Sequence, residues 1–393
     1  MSTPLRGVRV LDLTRLLPGN YAAYLLGALG AEVIKIEDPG AGDYMREVGL
    51  IVDGQSASHH NVNRAKRSVV IDLKRPEGVE VFLRLVDTAD VVIDSFRSGV
   101  LDRLGIGESV LRARRPSLVV ASISGYGASG PLSGIAAHDI NAMAFAGVQE
   151  RLVGPDGGSF AIEVPFADQI GGGLIPAMGV MALLVQARAT GEGGWLDCSL
   201  AEGVAVLPSP LSADVLAGAP MPPKTHTTGG NRAHYRVYEL LDGQVAVGAF
   251  ESQFWVGVCE VFGLDDLKDA QWDDSRRVEA IDRLTATFAA LTRDEVAELI
   301  EGRDCCVSLV NSYEQMFASP HAQARGLVRP AVDVPINVLA PPFRINGSIP
   351  PETIGAPRQG QHTVEVLAER GFTGAEIESL LDDKVVAERG ANA

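Results

Sequence analysis

An alternation of short apolar segments with helical stretches over the first 130 residues constrains the fold more than any other feature. The strand-like segments are rich in Val, Ile and Leu and span 8–13, 32–36, 69–73, 91–95 and 118–123. Because a strand–helix–strand unit brings its two strands parallel, the pattern predicts an α/β fold. We expect a Rossmann-like, doubly wound parallel sheet.

The turn after the first predicted strand does not indicate a dinucleotide site. It reads Arg15-Leu16-Leu17-Pro18-Gly19-Asn20, whereas a dinucleotide site has three spaced glycines that let the backbone approach the pyrophosphate. A Rossmann-like topology alone serves many functions. The function must therefore be sought in particular side chains.

The chain is longer than a single hydrophobic core usually supports, so we expect two domains over its 393 residues. The predicted parts are a large domain over 1–207, a Pro- and Gly-rich linker over 208–230, a smaller α+β domain over 231–325 and a C-terminal segment over 326–393. A predicted hairpin, with strands over 235–240 and 245–248, lies in the small domain. The C-terminal segment has no core pattern of its own, so we expect it to pack on the large domain.

Net charge and cysteine spacing exclude several classes of partner. A net charge of −16 disfavours nucleic acid and anionic membrane surfaces, which would be repelled over most of the molecule. No apolar run reaches membrane-spanning length without Gly, Pro or charge, and the N-terminus lacks a signal-peptide core. The four cysteines have neither metal-site nor disulfide-framework spacing, which favours a reducing compartment. We expect a cytoplasmic protein that binds no metal, nucleic acid or membrane.

Two segments thirty residues apart supply a candidate acid/base pair. His138 lies in Ala137–Asn141, and Asp168 precedes the glycine triplet Gly171–Gly173. An imidazole and a carboxylate brought to one site can move a proton. Other interpretations stay open, since His138 and Asp139 could form a structural pair and Asp168 could cap a helix. The glycines could serve only close helix packing.

Several short motifs are distributed along the chain, and they are Val8–Leu13 with Pro18-Gly19, Val33–Pro39, Asn63–Arg67, Phe96-Arg97 with Arg103–Gly105, Ser124–Pro131, and Gly355–Pro357 with Gly360–Thr363. Together they resemble the motifs of the class III CoA-transferase family. His138–Asn141, Ala167-Asp168 with its glycines, and Val247–Glu251 look like the 2-methylacyl-CoA racemase branch of that family. The resemblance covers nearly the whole chain.

The resemblance implies roles for three residues. His138 and Asp168 would be the two acid/base groups, and Glu251 would support the histidine, although it could also be a first-turn carboxylate stabilised by the helix dipole. The resemblance further implies an interlocked homodimer in which Glu251 reaches His138 of the partner. An acyl-CoA thioester would be the substrate, and CoA would enter with it, so no separate cofactor is expected.

Two other functions compete with racemisation. In the transferase branch the aspartate at position 168 is a nucleophile that forms an aspartyl-CoA anhydride, which would make Asp168 the catalytic centre of CoA transfer between carboxylic acids. A catalytically silent CoA-binding protein is the third possibility, because a fold and a basic cluster do not make an enzyme. The histidine and Glu251 distinguish the first two.

The chemistry of racemisation can be stated independently of the family. One group must remove the α-proton beside the thioester on one face, and another must return a proton on the opposite face. The intermediate is an enolate whose oxygen needs fixed donors. We expect backbone N–H groups at the start of the helix opened by Asp168 to supply them.

CoA needs cations for its phosphates and apolar surface for its adenine. The candidate CoA-binding residues lie at or near predicted strand ends and loops, and they are Leu17, Lys66, Arg67, Lys74, Phe96, Arg97 and Arg103. Asp38 stands where many relatives have an arginine, which shifts the expected contact to Arg46 or Arg103. Ala142 replaces a tyrosine that is frequent in the racemase branch, so the acyl pocket is expected to differ in shape.

Overall fold

A computed structural model describes residues 3–154, 157–350 and 354–388. Counted over these residues, the chain divides into two compact units. Unit 1 lies within Met1–Gln149, Ala161–Leu207 and Gly326–Ala393, and unit 2 within Glu150–Phe160 and Pro208–Arg325. The outer ends of the predicted ranges 1–207 and 326–393 fall outside the described residues.

The secondary structure alternates strands with helices through unit 1. The strands are β1 Arg9–Asp12, β2 Glu32–Glu37, β3 Ile51–Val52, β4 Gln55–Ser56, β5 Arg67–Ile71, β6 Val91–Asp94, β7 Val119–Ser124, β8 Gly194–Ser199, β9 Tyr235–Glu239, β10 Gln244–Gly248, β11 Val307–Leu309, β12 Val328–Pro330, β13 Asn337–Leu339 and β14 Val386–Ala387. The α-helices are α1 Leu17–Ala28, α2 Ala57–Asn63, α3 Pro76–Val86, α4 Val100–Arg103, α5 Glu108–Arg114, α6 Asp139–Phe145, α7 Ile175–Thr190, α8 Leu200–Ala205, α9 Ser209–Leu216, α10 Ser252–Val261, α11 Arg277–Ala289, α12 Arg293–Ile300, α13 Tyr313–Ala318, α14 Pro320–Ala324, α15 Thr363–Glu369 and α16 Gly374–Asp382. A π-helix spans Ala167–Leu174 and continues directly into α7.

A seven-stranded sheet organises unit 1 in the order β14-β5-β2-β1-β6-β7-β8. All neighbours pair in parallel except β14, which is antiparallel to β5. The chain builds outward from β1 through β2 and β5, then returns to the other side of β1 to add β6, β7 and β8. This confirms the predicted doubly wound α/β sheet. The order reverses between β1 and β6, and the carboxyl ends of strands at such a reversal form a ligand crevice.

The C-terminal part of unit 1 packs on this sheet. Val366 and Leu367 of α15, with Ile377 of α16, belong to the same buried cluster as Leu11 and Ile34 of the central strands. The side chains of Val366, Leu367, Leu11 and Ile34 are fully buried. Burial of apolar area therefore holds the end of the chain on the sheet.

Unit 2 is a small α+β assembly around an antiparallel sheet with the order β11-β10-β9. The predicted hairpin is confirmed as β9 and β10, with Val245 opposite Tyr238. One face of this sheet packs against helices through a separate buried cluster that contains Trp255 and Phe288. Unit 2 therefore has its own core.

Two boundaries differ from the prediction. The expected linker contains the helix α9, Ser209–Leu216, whose single proline, Pro210, lies in the first turn, where proline is tolerated. Glu150–Phe160, expected in the large domain, groups with unit 2. Two hydrogen bonds explain this, since Arg151 Nη1 donates to the Met221 carbonyl at 2.5 Å and Lys224 Nζ donates to the Gly154 carbonyl at 3.0 Å.

The continuous helical segment Ala167–Thr190 has the length and composition of a membrane span, with a mean hydropathy of 1.7 in its most apolar window. Core helices of soluble proteins can have the same length and apolar composition. The π-helical part of this segment packs against α1 and α8 of unit 1. The segment is therefore weak grounds for a membrane location.

Candidate functional site

Asp168 is the second residue of the π-helix Ala167–Leu174 and is half-buried. The helix-cap interpretation of Asp168 is wrong, because Phe166 occupies that position. Burial raises the pKa of the Asp168 carboxyl to about 7, and the neighbouring charge of Asp139 adds to the effect. A carboxyl with a pKa near 7 can hold or release a proton at neutral pH. π-Helical turns are rare and often lie at functional sites.

The His138 segment directly contacts the Asp168 segment. His138 caps the N-terminus of α6, its backbone N–H donating to Asn141 Oδ1 at 3.1 Å, and its side chain is exposed. The next residue, Asp139, accepts a hydrogen bond on Oδ1 from the Asp168 backbone N–H at 3.0 Å. The fold thus joins the two halves of the predicted acid/base pair through Asp139. Ala142, on the same helix, is fully buried.

The glycine triplet lets the π-helix approach two neighbouring helices. A Cβ added to Gly171 would lie 2.6 Å from the Leu200 carbonyl oxygen, and one on Gly172 would lie 2.3 Å from Pro18 Cβ. On Gly173 it would lie 2.6 Å from the Tyr21 ring. The close-packing interpretation of the glycines is therefore confirmed, and the position of Asp168 depends on α1 and α8.

The predicted oxyanion donors at the start of this helix are already engaged. The Asp168 N–H donates to Asp139, and the Gln169 N–H donates to the Pro165 carbonyl at 3.0 Å. A donor that already serves a protein acceptor offers little to a developing enolate oxygen. The prediction failed because the sequence does not show which local acceptors a helix start will find.

Glu251 belongs to unit 2, where it occupies the position just before the first turn of α10. Its side chain is exposed and makes no capping hydrogen bond to that helix. Together with burial and Asp304, the Glu251 charge raises the pKa of the Cys306 thiol. Glu251 is thus an exposed carboxylate at the N-cap position of α10, a place where the helix dipole also favours a negative charge.

A cavity of about 330 Å³ opens at the carboxyl edge of the large sheet, beside the point where the strand order reverses. Its wall is mostly apolar and its rim carries charge; the lining residues are Leu13, Arg15, Ile36, Glu37, Asp38, Pro39, Gly40, Ile71, Asp72, Leu73, Lys74, Phe96, Val100 and Leu104. We call it the switch-point cavity. An apolar hollow with a few polar groups is typical of a small-molecule site.

The structure places several predicted CoA-binding residues at or beside this cavity. Lys74 and Phe96 line it, and Leu17 begins the helix that follows its Arg15 rim. Arg103 ends α4, which contributes Val100 to the wall.

Arg97 instead lines an adjacent cavity of about 240 Å³, which shares Phe96 with the first. The lining of that neighbour includes the buried Asp94, whose pKa burial raises to about 6.

Lys66 and Arg67 are not brought to the switch-point cavity. Lys66 is buried, and its Nζ donates to Asp12 Oδ2 and Asn63 Oδ1, each at 2.8 Å. Arg67 makes ion pairs with Glu32, Glu365 and Glu369 at 3.0, 2.9 and 2.7 Å. Both side chains hold the fold together.

Arg46, the predicted substitute for an arginine at position 38, is also engaged. Its guanidinium pairs with Glu37 in the protein interior and donates to the Pro357 carbonyl at 2.9 Å. The sequence could not show this, because the partner carbonyl lies more than three hundred residues away.

The sequence analysis did not identify Arg15 or Asp139 as candidate functional residues. Arg15 follows β1 at the carboxyl edge, a place that the strand pattern itself marks as ligand-binding. Asp139 adjoins the candidate histidine, but its contact with Asp168 depends on how two distant helices meet. The first residue was available to the sequence argument, and the second was not.

Comparison with known proteins identifies the family of this chain. The CoA-transferase family III model matches residues 5–363. Human alpha-methylacyl-CoA racemase is 31% identical over 390 residues, covering 97% of each chain. Human succinyl-CoA:glutarate CoA-transferase is 32% identical over 377 residues, covering 93% of this chain and 86% of the relative. The crystal structure of a CAIB/BAIF family protein from Brucella suis has a TM-score of 0.81 at 29% identity, covering 94% of this chain and all of that one.

The relatives fix the family and leave the reaction open. Racemases and transferases match at nearly equal identity over most of the chain. The family resemblance predicted from short motifs is confirmed, since the family model spans both units. The chain belongs to CoA-transferase family III, a family of enzymes.

Proposed function

We propose that the protein is a racemase or epimerase of 2-methylacyl-CoA thioesters that works by proton transfer through an enolate. The observation that carries the proposal is the half-buried Asp168, with a pKa near 7, held against the residue that follows His138. A nucleophilic carboxylate must be ionised, whereas an acid/base group works best with a pKa near the operating pH. The raised pKa therefore favours proton transfer over nucleophilic attack.

Proton balance requires that the two groups share one proton. When His138 is the base it starts neutral and Asp168 starts protonated; when Asp168 is the base it starts ionised and His138 starts cationic. One group takes the α-proton, the enolate forms, and the other returns a proton to the opposite face. Each direction thus uses the same total number of bound protons.

The nucleotide part of CoA is assigned to the switch-point cavity. Its apolar wall suits adenine, and the exposed Lys74 lines it. The exposed Arg97 lines the adjacent cavity, and the exposed Arg103 precedes the lining residue Leu104, so all three are offered as cations for the phosphates. Leu17 and Phe96 would contact the pantetheine arm on its way to Asp168. Lys66 and Arg67 are left out because protein carboxylates already neutralise them. CoA arrives as part of the substrate, so no separate cofactor is proposed.

The proposed assembly is an interlocked homodimer. Glu251 is an exposed carboxylate of unit 2, and His138 is an exposed imidazole of unit 1. A carboxylate beside an imidazole favours its cationic form. In the dimer, Glu251 of one chain would support His138 of the other.

A CoA-transferase is the second candidate, and the similarity to transferases favours it. Asp168 would then attack the acyl thioester to give a mixed aspartyl anhydride and CoA thiolate. The thiolate would attack the aspartyl carbonyl, which releases the donor acid as its carboxylate and leaves an aspartyl-CoA thioester. The acceptor carboxylate would displace the thiolate to form a second anhydride, and attack of the thiolate on the acceptor carbonyl would release the new acyl-CoA and free Asp168. His138 has no required part in that sequence. Binding of CoA without turnover of any thioester would instead indicate a silent binding protein.

Exchange of the α-proton of a 2-methylacyl-CoA in deuterated buffer, followed by mass spectrometry, tests the proposal. We expect the wild type to exchange, and His138→Ala and Asp168→Ala each to lose about 10² to 10⁴ in rate, the usual contribution of a general acid or base. Glu163→Gln, an exposed carboxyl five residues before Asp168, is the control and should exchange normally. Absence of exchange, with CoA transfer to a free acid that survives His138→Ala, would establish the transferase instead.

A further inference from the structure

The Arg15 side chain lies across the rim of the switch-point cavity. Its guanidinium carbon is 5.6 Å from the centre of the Tyr44 ring and 5.7 Å from the centre of the Phe96 ring. Arg15 Nη2 also forms an ion pair with Asp38 Oδ2 at 2.5 Å. Tyr44 and Asp38 follow β2, and Phe96 follows β6, so the guanidinium connects strand ends on both sides of β1.

Two hydrogen bonds from backbone N–H groups fix the backbone at Arg15 and Leu16. The Arg15 N–H donates to Ser95 Oγ at 3.0 Å, and the Leu16 N–H donates to Asp43 Oδ1 at 3.0 Å. Asp43 is itself paired with the buried Lys35 at 3.0 Å. Leu16 has a φ of 62°, a conformation that a leucine adopts only when its surroundings impose it. The Arg15 side chain can therefore change partner without movement of its loop.

The partner that Arg15 now holds is a weak one. The side chains of Arg15 and Asp38 are 31% and 34% exposed, and ion pairs with that much exposure contribute little free energy. A guanidinium has five N–H donors in a planar fork, which suits the several oxygens and higher charge of a phosphate. A phosphate at the rim would therefore compete well with Asp38.

We infer that Arg15 and Asp38 form a counter-ion latch, in which Asp38 competes with a phosphate group of the ligand for the Arg15 guanidinium and so sets the affinity for the nucleotide part of CoA. This inference rests on the proposed function, because that function supplies the phosphate-bearing ligand. The Asp38 carboxylate opposes binding in two ways: it occupies Arg15, and it repels phosphate. Removal of its charge should strengthen binding, but mainly while Arg15 is present.

Equilibrium titration with CoA itself, in a double-mutant cycle, tests the latch. We expect Asp38→Asn to bind CoA about threefold to tenfold more tightly and Arg15→Gln to bind it more weakly by a similar factor. In the double variant most of the gain from Asp38→Asn should disappear, because only the direct repulsion between Asp38 and phosphate is left to relieve. Arg15→Lys keeps the charge but loses the fork, so we expect an affinity between those of the wild type and Arg15→Gln.

Asp53→Asn is the matched control, because it breaks another exposed ion pair of unit 1, with Arg358 at 3.3 Å, whose two residues do not line the switch-point cavity. It should leave CoA affinity unchanged. If the wild type binds CoA, either a gain from Asp38→Asn that is undiminished in the Arg15→Gln background or no gain from Asp38→Asn at all would overturn the latch alone. Failure of the folded wild type to bind CoA would overturn the proposed function as well.

Discussion

Asp12 and Asp168 are two aspartates of unit 1 whose environments shift the carboxyl pKa in opposite directions. Asp12 is fully buried, and burial alone would raise its pKa, but the charges of Lys66 and Lys35 outweigh burial and lower it. Asp168 is less deeply placed, yet burial and the charge of Asp139 raise its pKa to about 7. Burial acts to raise the pKa of both carboxyls; the nearby lysines reverse the direction at Asp12, whereas the nearby Asp139 reinforces it at Asp168. The ion-paired Asp12 supports the fold, whereas the Asp168 carboxyl, with a pKa near neutrality, can hold or release a proton.

The largest effect is expected where the paired cluster is broken. Lys35→Met should lower the free energy of unfolding by about 3–5 kcal/mol, because Asp43 and Asp12 would lose a buried counter-charge. Urea unfolding at pH 7 measures this. Lys74→Met, at the same edge of the sheet but exposed, should change it by less than about 0.5 kcal/mol. A loss as small at Lys35 as at Lys74 would contradict the structural role of the cluster.

At Asp168 we expect a substitution to change the free energy of unfolding by a smaller amount and in the opposite direction. Its folded pKa lies above its unfolded value, so its favourable contribution is complete below about pH 4 and is lost as the pH rises through 7. Relative to the wild type, Asp168→Asn should therefore gain about 1–3 kcal/mol of stability between pH 4 and pH 8. Thermal unfolding across this range checks the sign. Asp12→Asn should instead be less stable than the wild type throughout, and a gain there would break the comparison.

The smallest expected effect is a shift, in the Asp139→Asn variant, of the pH profile for α-proton exchange. Asp139→Asn keeps an oxygen for the Asp168 N–H but removes the charge that helps to raise the Asp168 pKa. The first proton of the doubly protonated site should then leave at lower pH, so the acid limb of proton exchange should move to lower pH. Initial rates from pH 5 to 9 measure it, with Glu163→Gln as the unshifted control. An acid limb that moved upward would show that Asp139 does not act through its charge.

Sequence reasoning reached the sheet and the neighbourhood of the site more readily than the partners of individual side chains. Runs of Val and Ile marked the strands because parallel strands are buried on both faces. The positions of His138 and Asp168 followed from motifs. Lys66 could not be distinguished from Lys74 in the sequence, since both are basic residues near strand ends. The difference between them is that the fold brings the carboxylate of Asp12 into an ion pair with Lys66.

The packing of the π-helix on α1 also has a consequence for how substrates are sorted. The helix α1 begins two residues after Arg15, and its Pro18 and Tyr21 are the groups against which Gly172 and Gly173 lie. The proposed binding positions for the two ends of the substrate are thus both fixed relative to α1. The distance between them would select the length of the pantetheine arm: a thioester with the full arm would be accepted, and one with a shortened arm would be rejected, however well its acyl group fits.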